Sequence, residues 1–167
     1  MSDNAVKPRV GLAIIRHPFE EGAGAAPQVG DRARRALGFA EVVSAPAICE
    51  DDSTARHAGA AFREADVDAV VAVLATWSSD AVATRILDFA TVPIVIWALP
   101  AVSTGSICGA HQLACVLKEL DRPYRFVYGE LEDPRCAREA REFARAAMVA
   151  KRLRTVNLGQ VGTGSRG

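Results

Sequence analysis

Two short apolar runs, Ala69 to Ala75 and Ile94 to Leu99, separated by a stretch of helical period, constrain this chain more than any other feature. Each is rich in Val, Ile and Ala, too short to cross a membrane, and closed by polar or turn residues. Runs of this kind fit strands buried on both faces of a parallel sheet. Between them Ala81, Ile86, Leu87 and Ala90 fall near helical spacing. Residues 67–109 therefore read as strand, helix, strand with a right-handed crossover. In an open parallel sheet, ligands bind in the crevice beyond the carboxyl ends of the strands. Here those ends carry Thr76-Trp77-Ser78-Ser79-Asp80 and Pro100-Ala101-Val102-Ser103-Thr104-Gly105-Ser106.

The remainder of the chain extends this unit. Arg9 to Ile15 (RVGLAII) reads as a first strand, delivering Arg16-His17-Pro18-Phe19 into a loop with Gly22 and Gly24. Val29 to Leu37 follows as a helix with Arg32, Arg34 and Arg35 on its wet side and Gly38 as its carboxyl-terminal cap. Ala40 to Ala45 is a second strand, and Asp51-Asp52-Ser53-Thr54 offers several caps for a helix over Ala55 to Ala65. Ser106 to Leu120 is a helix, Tyr124 to Tyr128 a fifth strand, and Pro134 to Arg154 a long amphipathic helix. The alternation predicts an α/β domain over 1–154: a three-layer, doubly wound (Rossmann-like or flavodoxin-like), mainly parallel five-stranded sheet.

Residues 155–167 read as an additional strand, Thr155 to Val161, and a Gly-rich tail. Gly162-Thr163-Gly164-Ser165-Arg166-Gly167 fits G-x-G-x-x-G, but the dinucleotide fingerprint needs a helix whose amino end meets the pyrophosphate, and no residues remain to build one. The segment reads instead as the start of a missing second α/β domain.

Charge narrows the function classes. Lys and Arg total 20, as do Asp and Glu, so no overall field argues for nucleic acid or an anionic membrane as partner. No apolar run reaches the roughly 18 residues of a membrane span, and MSDNAVKPR has no apolar leader core. The expectation is a cytoplasmic protein. Cys49, Cys108, Cys115 and Cys136 form no CxxC and read as small residues of a reduced interior, with Cys115 on an apolar helix face. Cys108, beside Gly105 and Gly109 in a site loop, is the one to test for reactivity.

The strand ends would bring together Arg16, Trp77, Ser78, Ser79, Ser103, Thr104 and Ser106. An Arg supplies fixed donors, a Trp a flat apolar face, and Ser or Thr both donors and acceptors. That mixture suits a polyhydroxylated or carboxylated small ligand. Each residue also has a structural explanation: Trp77 as a core or interface aromatic, Arg16 in an ion pair with a carboxylate such as Asp80, the hydroxyls as helix caps. Trp97, inside a strand, reads as core. His17, standing alone in its loop, and His57 and His111, on helices, make no metal set, and no GxSxG nucleophile elbow occurs. Asp66 and Asp68 precede a strand at the wrong edge and read as solvated. Glu130, Glu132 and Asp133 follow the fifth strand at the right edge, where Asp133 also suits a cap for the helix at Pro134.

Taken in order, GLAIIRHPF, a DVDAVV strand ending in TWS, PIVIWALP with its Ser-Ile-Cys-Gly helix start, the VYGELEDP turn and the arm RLRTVNLGQVG resemble the amino-terminal region of the L-fucose isomerase and L-arabinose isomerase superfamily. The resemblance runs from about Arg9 to Val161. It implies part of a cytosolic aldose–ketose isomerase that assembles as a homo-oligomer, commonly a hexamer or trimer, and uses a divalent cation, usually manganese. The metal ligands, an acidic pair and a His, and the acid–base groups of such enzymes lie in later domains, which this chain does not reach. What the resemblance carries over is Arg16 and Trp77, in the places of an Arg after the first strand and a Trp after the third that help enclose a sugar bound in a neighbouring subunit.

The chain is accordingly expected to be a substrate-enclosing domain or subunit, inactive alone, with no catalytic residue, metal ligand or cofactor of its own. Its partners would be a small sugar and either further copies of itself or a chain carrying the catalytic domains. The alternatives are a free-standing sugar- or organic-acid-binding regulatory module, and an assembly subunit in which Trp77 and the Arg-rich last helix serve only association.

Overall fold

The computed structural model describes residues 6–157 and 159. Five strands, β1 (Arg9–Ile15), β2 (Glu41–Ser44), β3 (Ala69–Leu74), β4 (Ile94–Ala98) and β5 (Tyr124–Tyr128), form one sheet in the order β2-β1-β3-β4-β5. Every pairing is parallel. The helices are α1 (Ala26–Ala36), α2 (Asp52–Glu64), α3 (Asp80–Phe89), α4 (Ser106–Glu119) and α5 (Pro134–Leu153). α2, α3 and α4 pack on one face of the sheet, and α1 and α5 on the other. This is the expected three-layer doubly wound fold, with the flavodoxin-like strand order.

Burial follows position in the sheet. All six residues of the central strand β3 are buried, as are all five of β4, whereas the edge strand β2 has no buried residue and the edge strand β5 has only Val127 buried. Strands covered on both faces need continuous apolar side chains, which is why the Val and Ile runs were readable. α5 reaches the sheet through a stripe of Cys136, Ala140, Ala144 and Ala147, small enough for close approach. Trp97, fully buried on β4, satisfies its indole by donating Nε1–H to the Gly129 carbonyl at 3.0 Å.

Helix starts are set by local chemistry. Asp51 accepts from the Thr54 amide at 2.8 Å while the Thr54 hydroxyl accepts from the Asp51 amide at 3.1 Å, a reciprocal box that opens α2 three residues before the expected start at Ala55. α1 also begins early, at Ala26, because Pro27 pre-sets a helical φ in its first turn. Its carboxyl cap is Leu37 and not Gly38; Leu37 is fully buried and holds the turn by packing. α2 and α3 meet at Gly59, where a Cβ would lie 2.6 Å from the Ile86 carbonyl oxygen. Beyond α5, Thr155 to Asn157 form a turn and irregular chain; the rest of the strand expected over Thr155 to Val161, apart from Gly159, and the tail at 162–167 lie outside the described residues.

Candidate functional site

Sheet order reverses direction between β1 and β3, so the loops leaving those two strands border the switch-point crevice, with the β4 loop alongside. The three loops interlock. The Trp77 amide donates to the Thr104 carbonyl at 2.7 Å. A Cβ on Gly22 would meet Thr104 Cγ2 at 2.9 Å, and one on Gly105 would meet Trp77 Cβ at the same distance. Gly105 sits at φ +66°, a left-handed conformation that an L side chain adopts only under strain, so both backbone and space call for glycine there.

This framework commits most of the expected ligand-binding groups to the protein itself. Arg16 pairs through Nε with Glu50 at 2.8 Å and donates Nη1–H to the Ala23 carbonyl at 3.0 Å. Its ion partner is thus Glu50, while Asp80 accepts from Gln112 at 2.6 Å. Ser106 is fully buried: its hydroxyl donates to the Leu74 carbonyl at 2.6 Å and accepts from the Leu99 amide at 2.9 Å, stapling the ends of β3 and β4. Thr104 donates to the Ala101 carbonyl at 2.8 Å and accepts from the Ser106 amide at 3.3 Å. Ser79 caps α3, accepting from Ala81 N–H at 3.3 Å. Ser78 is buried against Gly109, and Ser103 is exposed on the β4 loop.

What remains presented outward is aromatic. Trp77 is half-buried, and its ring centroid lies 5.7 Å from that of His17, which in turn lies 5.7 Å from that of Phe19. Phe19 is 91% exposed and Val102, on the β4 loop, 86%, the two most exposed large apolar side chains among the described residues. His17 therefore does not stand alone, as expected from sequence, but links two aromatic rings. Its Nδ1 is buried without a hydrogen-bond partner, and its backbone amide donates to Thr76 Oγ1 at 2.8 Å. The sequence signal for this row was the tripeptide His17-Pro18-Phe19 directly after β1.

The acidic loop after β5 is likewise committed. Arg32 on α1 bonds Glu132 through Nε at 2.7 Å and through Nη2 at 2.6 Å, and reaches Glu130 at 2.9 Å. These bonds lower the Glu132 carboxyl to about 2. Asp133 caps α5 by accepting from Arg135 N–H at 2.8 Å, which holds its carboxyl below the usual range. A small cleft of about 180 Å³ lies at this edge, lined by Gly22, Val29, Arg32, Leu99, Thr104 and Glu130.

A larger cleft, about 420 Å³, opens at the opposite, amino-terminal edge beside Val67, Phe89 and Lys151. Asp68, expected to be solvated, is largely buried there: it accepts from the Arg9 amide at 2.8 Å and faces Lys151 at 3.5 Å. The cysteines also divide differently from expectation. Cys49 and Cys136 are interior, with burial pushing the Cys49 thiol up to about 12, whereas Cys108 and Cys115 are exposed on α4. His57 is exposed, and His111 packs edge-on against Phe126 at 5.0 Å. Among the described residues no three His, Cys, Asp or Glu side chains gather as a metal-holding group, so the divalent cation implied by the resemblance has no ligand set among them. No helix among them is long and apolar enough to cross a membrane.

No family model matches the chain, and no curated protein matches it. The functional reading therefore rests on the residues and geometry above.

Proposed function

We propose that this chain is the amino-terminal, substrate-enclosing part of a fucose-isomerase-like sugar aldose–ketose isomerase, and that it is inactive alone. One observation carries the reading: the carboxyl edge of the sheet presents an outward row of His17, Phe19 and Trp77 over loops whose Arg16, Thr104 and Ser106 side chains are already bonded to the protein. Such an edge is a wall and not a pocket. A cleft of about 180 Å³ is small against the roughly 300–1,000 Å³ typical of ligand sites.

The chemistry of the wall suits a sugar. An aromatic face covers the C–H face of a pyranose and excludes water, while Ser103, on the exposed rim, adds a hydroxyl. Arg16, held by Glu50, keeps the β1 loop in place; it orients the wall. Isomerisation requires a sugar held in one pose and shielded from solvent, and a wall supplies that without taking part in proton transfer. In the complete enzyme the divalent cation would polarise the sugar oxygens from residues outside this chain.

The experiment is Trp77→Ala in the complete assembly, with sugar affinity and metal content read together. Affinity falls by tenfold or more, about the worth of one well-packed aromatic contact in a binding site, and metal content stays constant. Unchanged affinity overturns the reading. The exposure of Phe19 and Val102 favours a second reading, an assembly surface without a ligand. Under that reading Phe19→Ala dissociates the assembly while no sugar binds at any concentration.

A further inference from the structure

We propose a second ligand site at the amino-terminal edge of the sheet, opposite the aromatic wall, that takes small amphiphilic carboxylates: an apolar aromatic or branched body bearing one carboxylate. The cavity of about 420 Å³ lies between the β3 and β4 entry points and the ends of α2, α3 and α5. That volume falls within the range of small-molecule sites. Its apolar wall is Phe62, Phe89, Val92 and Pro93.

The cations of the cleft are unequally committed. Lys151 donates Nζ–H to the Asp66 and Val67 carbonyls at 2.6 and 3.2 Å and pairs with Asp66 at 2.7 Å and Asp68 at 3.5 Å. Its charge answers two carbonyls of the loop between α2 and β3 and two carboxylates, so it leaves nothing for a ligand. Arg63 and Arg154 line the same cavity, both are exposed, and neither has a carboxylate within ion-pair distance among the described residues. The Arg63 guanidinium lies 5.9 Å from the Phe89 ring centroid, which places a fixed planar donor beside an apolar face.

The wider field agrees. An adjoining cleft of about 370 Å³ shares Asp66, Asp68 and Lys151. Together the two are lined by six cations, Lys7, Arg9, Arg63, Lys151, Arg152 and Arg154, against three carboxylates, Glu41, Asp66 and Asp68. In a chain with equal numbers of acidic and basic residues, the apolar-walled cavity has Arg63, Lys151 and Arg154 against Asp66 and Asp68, and the adjoining cleft adds Lys7, Arg9 and Arg152 against Glu41, so the excess of three positive charges is spread over the two openings. A carboxylate reaching Arg63 or Arg154 gains charge-assisted, bidentate hydrogen bonds while its apolar body covers the half-buried Phe89, Val92 and Pro93. A neutral analogue gains only the second part.

The test uses the full-length chain, naphthalene-2-carboxylate as probe and 2-naphthylmethanol as its neutral counterpart. Calorimetry should give saturable one-to-one binding of the carboxylate, with the alcohol at least about tenfold weaker. Arg63→Gln and Arg154→Gln should each weaken the carboxylate by about tenfold or more, with unchanged far-UV circular dichroism. In NMR spectra the perturbed amides should be those of Val67, Thr91 and Ala150. No saturation at millimolar probe, wild-type affinity in the double variant, equal binding of acid and alcohol, or perturbation centred on Trp77 would each overturn the proposal.

Discussion

Replacing Ser106 by alanine separates a structural role from a ligand-binding one. β3 and β4 part at their carboxyl ends, and the Ser106 hydroxyl stands where the next rung of the ladder would be, bonded to the Leu74 carbonyl at 2.6 Å and the Leu99 amide at 2.9 Å. The residue has no exposed surface, so water cannot take the place of the hydroxyl without rearrangement. Ser106→Ala leaves one buried acceptor and one buried donor unpaired, at about 1–3 kcal/mol each, for a total near 2–4 kcal/mol after partial relaxation. For a domain of this size that lowers the melting temperature by roughly 5–15 °C. Thermal and urea unfolding followed by far-UV circular dichroism give the number, and coincidence with Trp fluorescence checks two-state behaviour. An unchanged melting temperature with lost sugar affinity would refute the structural assignment and return Ser106 to the ligand.

Other consequences follow from the same geometry. Gly59→Ala puts a methyl 2.6 Å from the Ile86 carbonyl oxygen and 2.8 Å from Phe89 Cβ; α2 and α3 must separate, costing about 1–3 kcal/mol or more, read as a lower urea midpoint with unchanged slope. Native protein should react with a thiol reagent at Cys108 and Cys115, whereas Cys49 and Cys136 react after unfolding; four fast thiols would contradict the burial of the last two. The Glu132 carboxyl is lowered from its ordinary 4.5 to about 2, so the stability it brings is fully present above about 4.5 and lost as pH falls toward 2. Glu132→Gln should flatten the pH dependence of the urea midpoint in that window, and added salt should shrink the difference, because the pair is exposed.

The sheet was legible because its strands are buried on both faces, which demands uninterrupted Val, Ile and Ala; periodicity and length then sufficed for β1, β3 and β4. The site was legible only as a location. Which hydroxyls stay free for a ligand depends on partners distant in sequence, such as Leu74, 32 positions before Ser106. Cys115 looked interior because its chain neighbours are apolar. The buried face of α4 is in fact Gly109, Ala110, Leu113 and Leu117, and Cys115 falls between them on the helix and outside them in space. Asp68 was misread for a related reason: a carboxylate before a strand is normally wet, but here the Arg9 amide and Lys151 enclose it. The aromatic row could have been anticipated from His17-Pro18-Phe19, since a rigid turn immediately after β1 projects its flanking rings from the same edge as Trp77.

The most direct test of the enclosing-wall account is the mass and metal content of the complex recovered when this chain is purified from its native source. The account predicts an oligomer, of this chain in longer form or with a second chain, that carries a bound divalent cation and interconverts an aldose and a ketose. A single metal-free protomer that binds no sugar would contradict it.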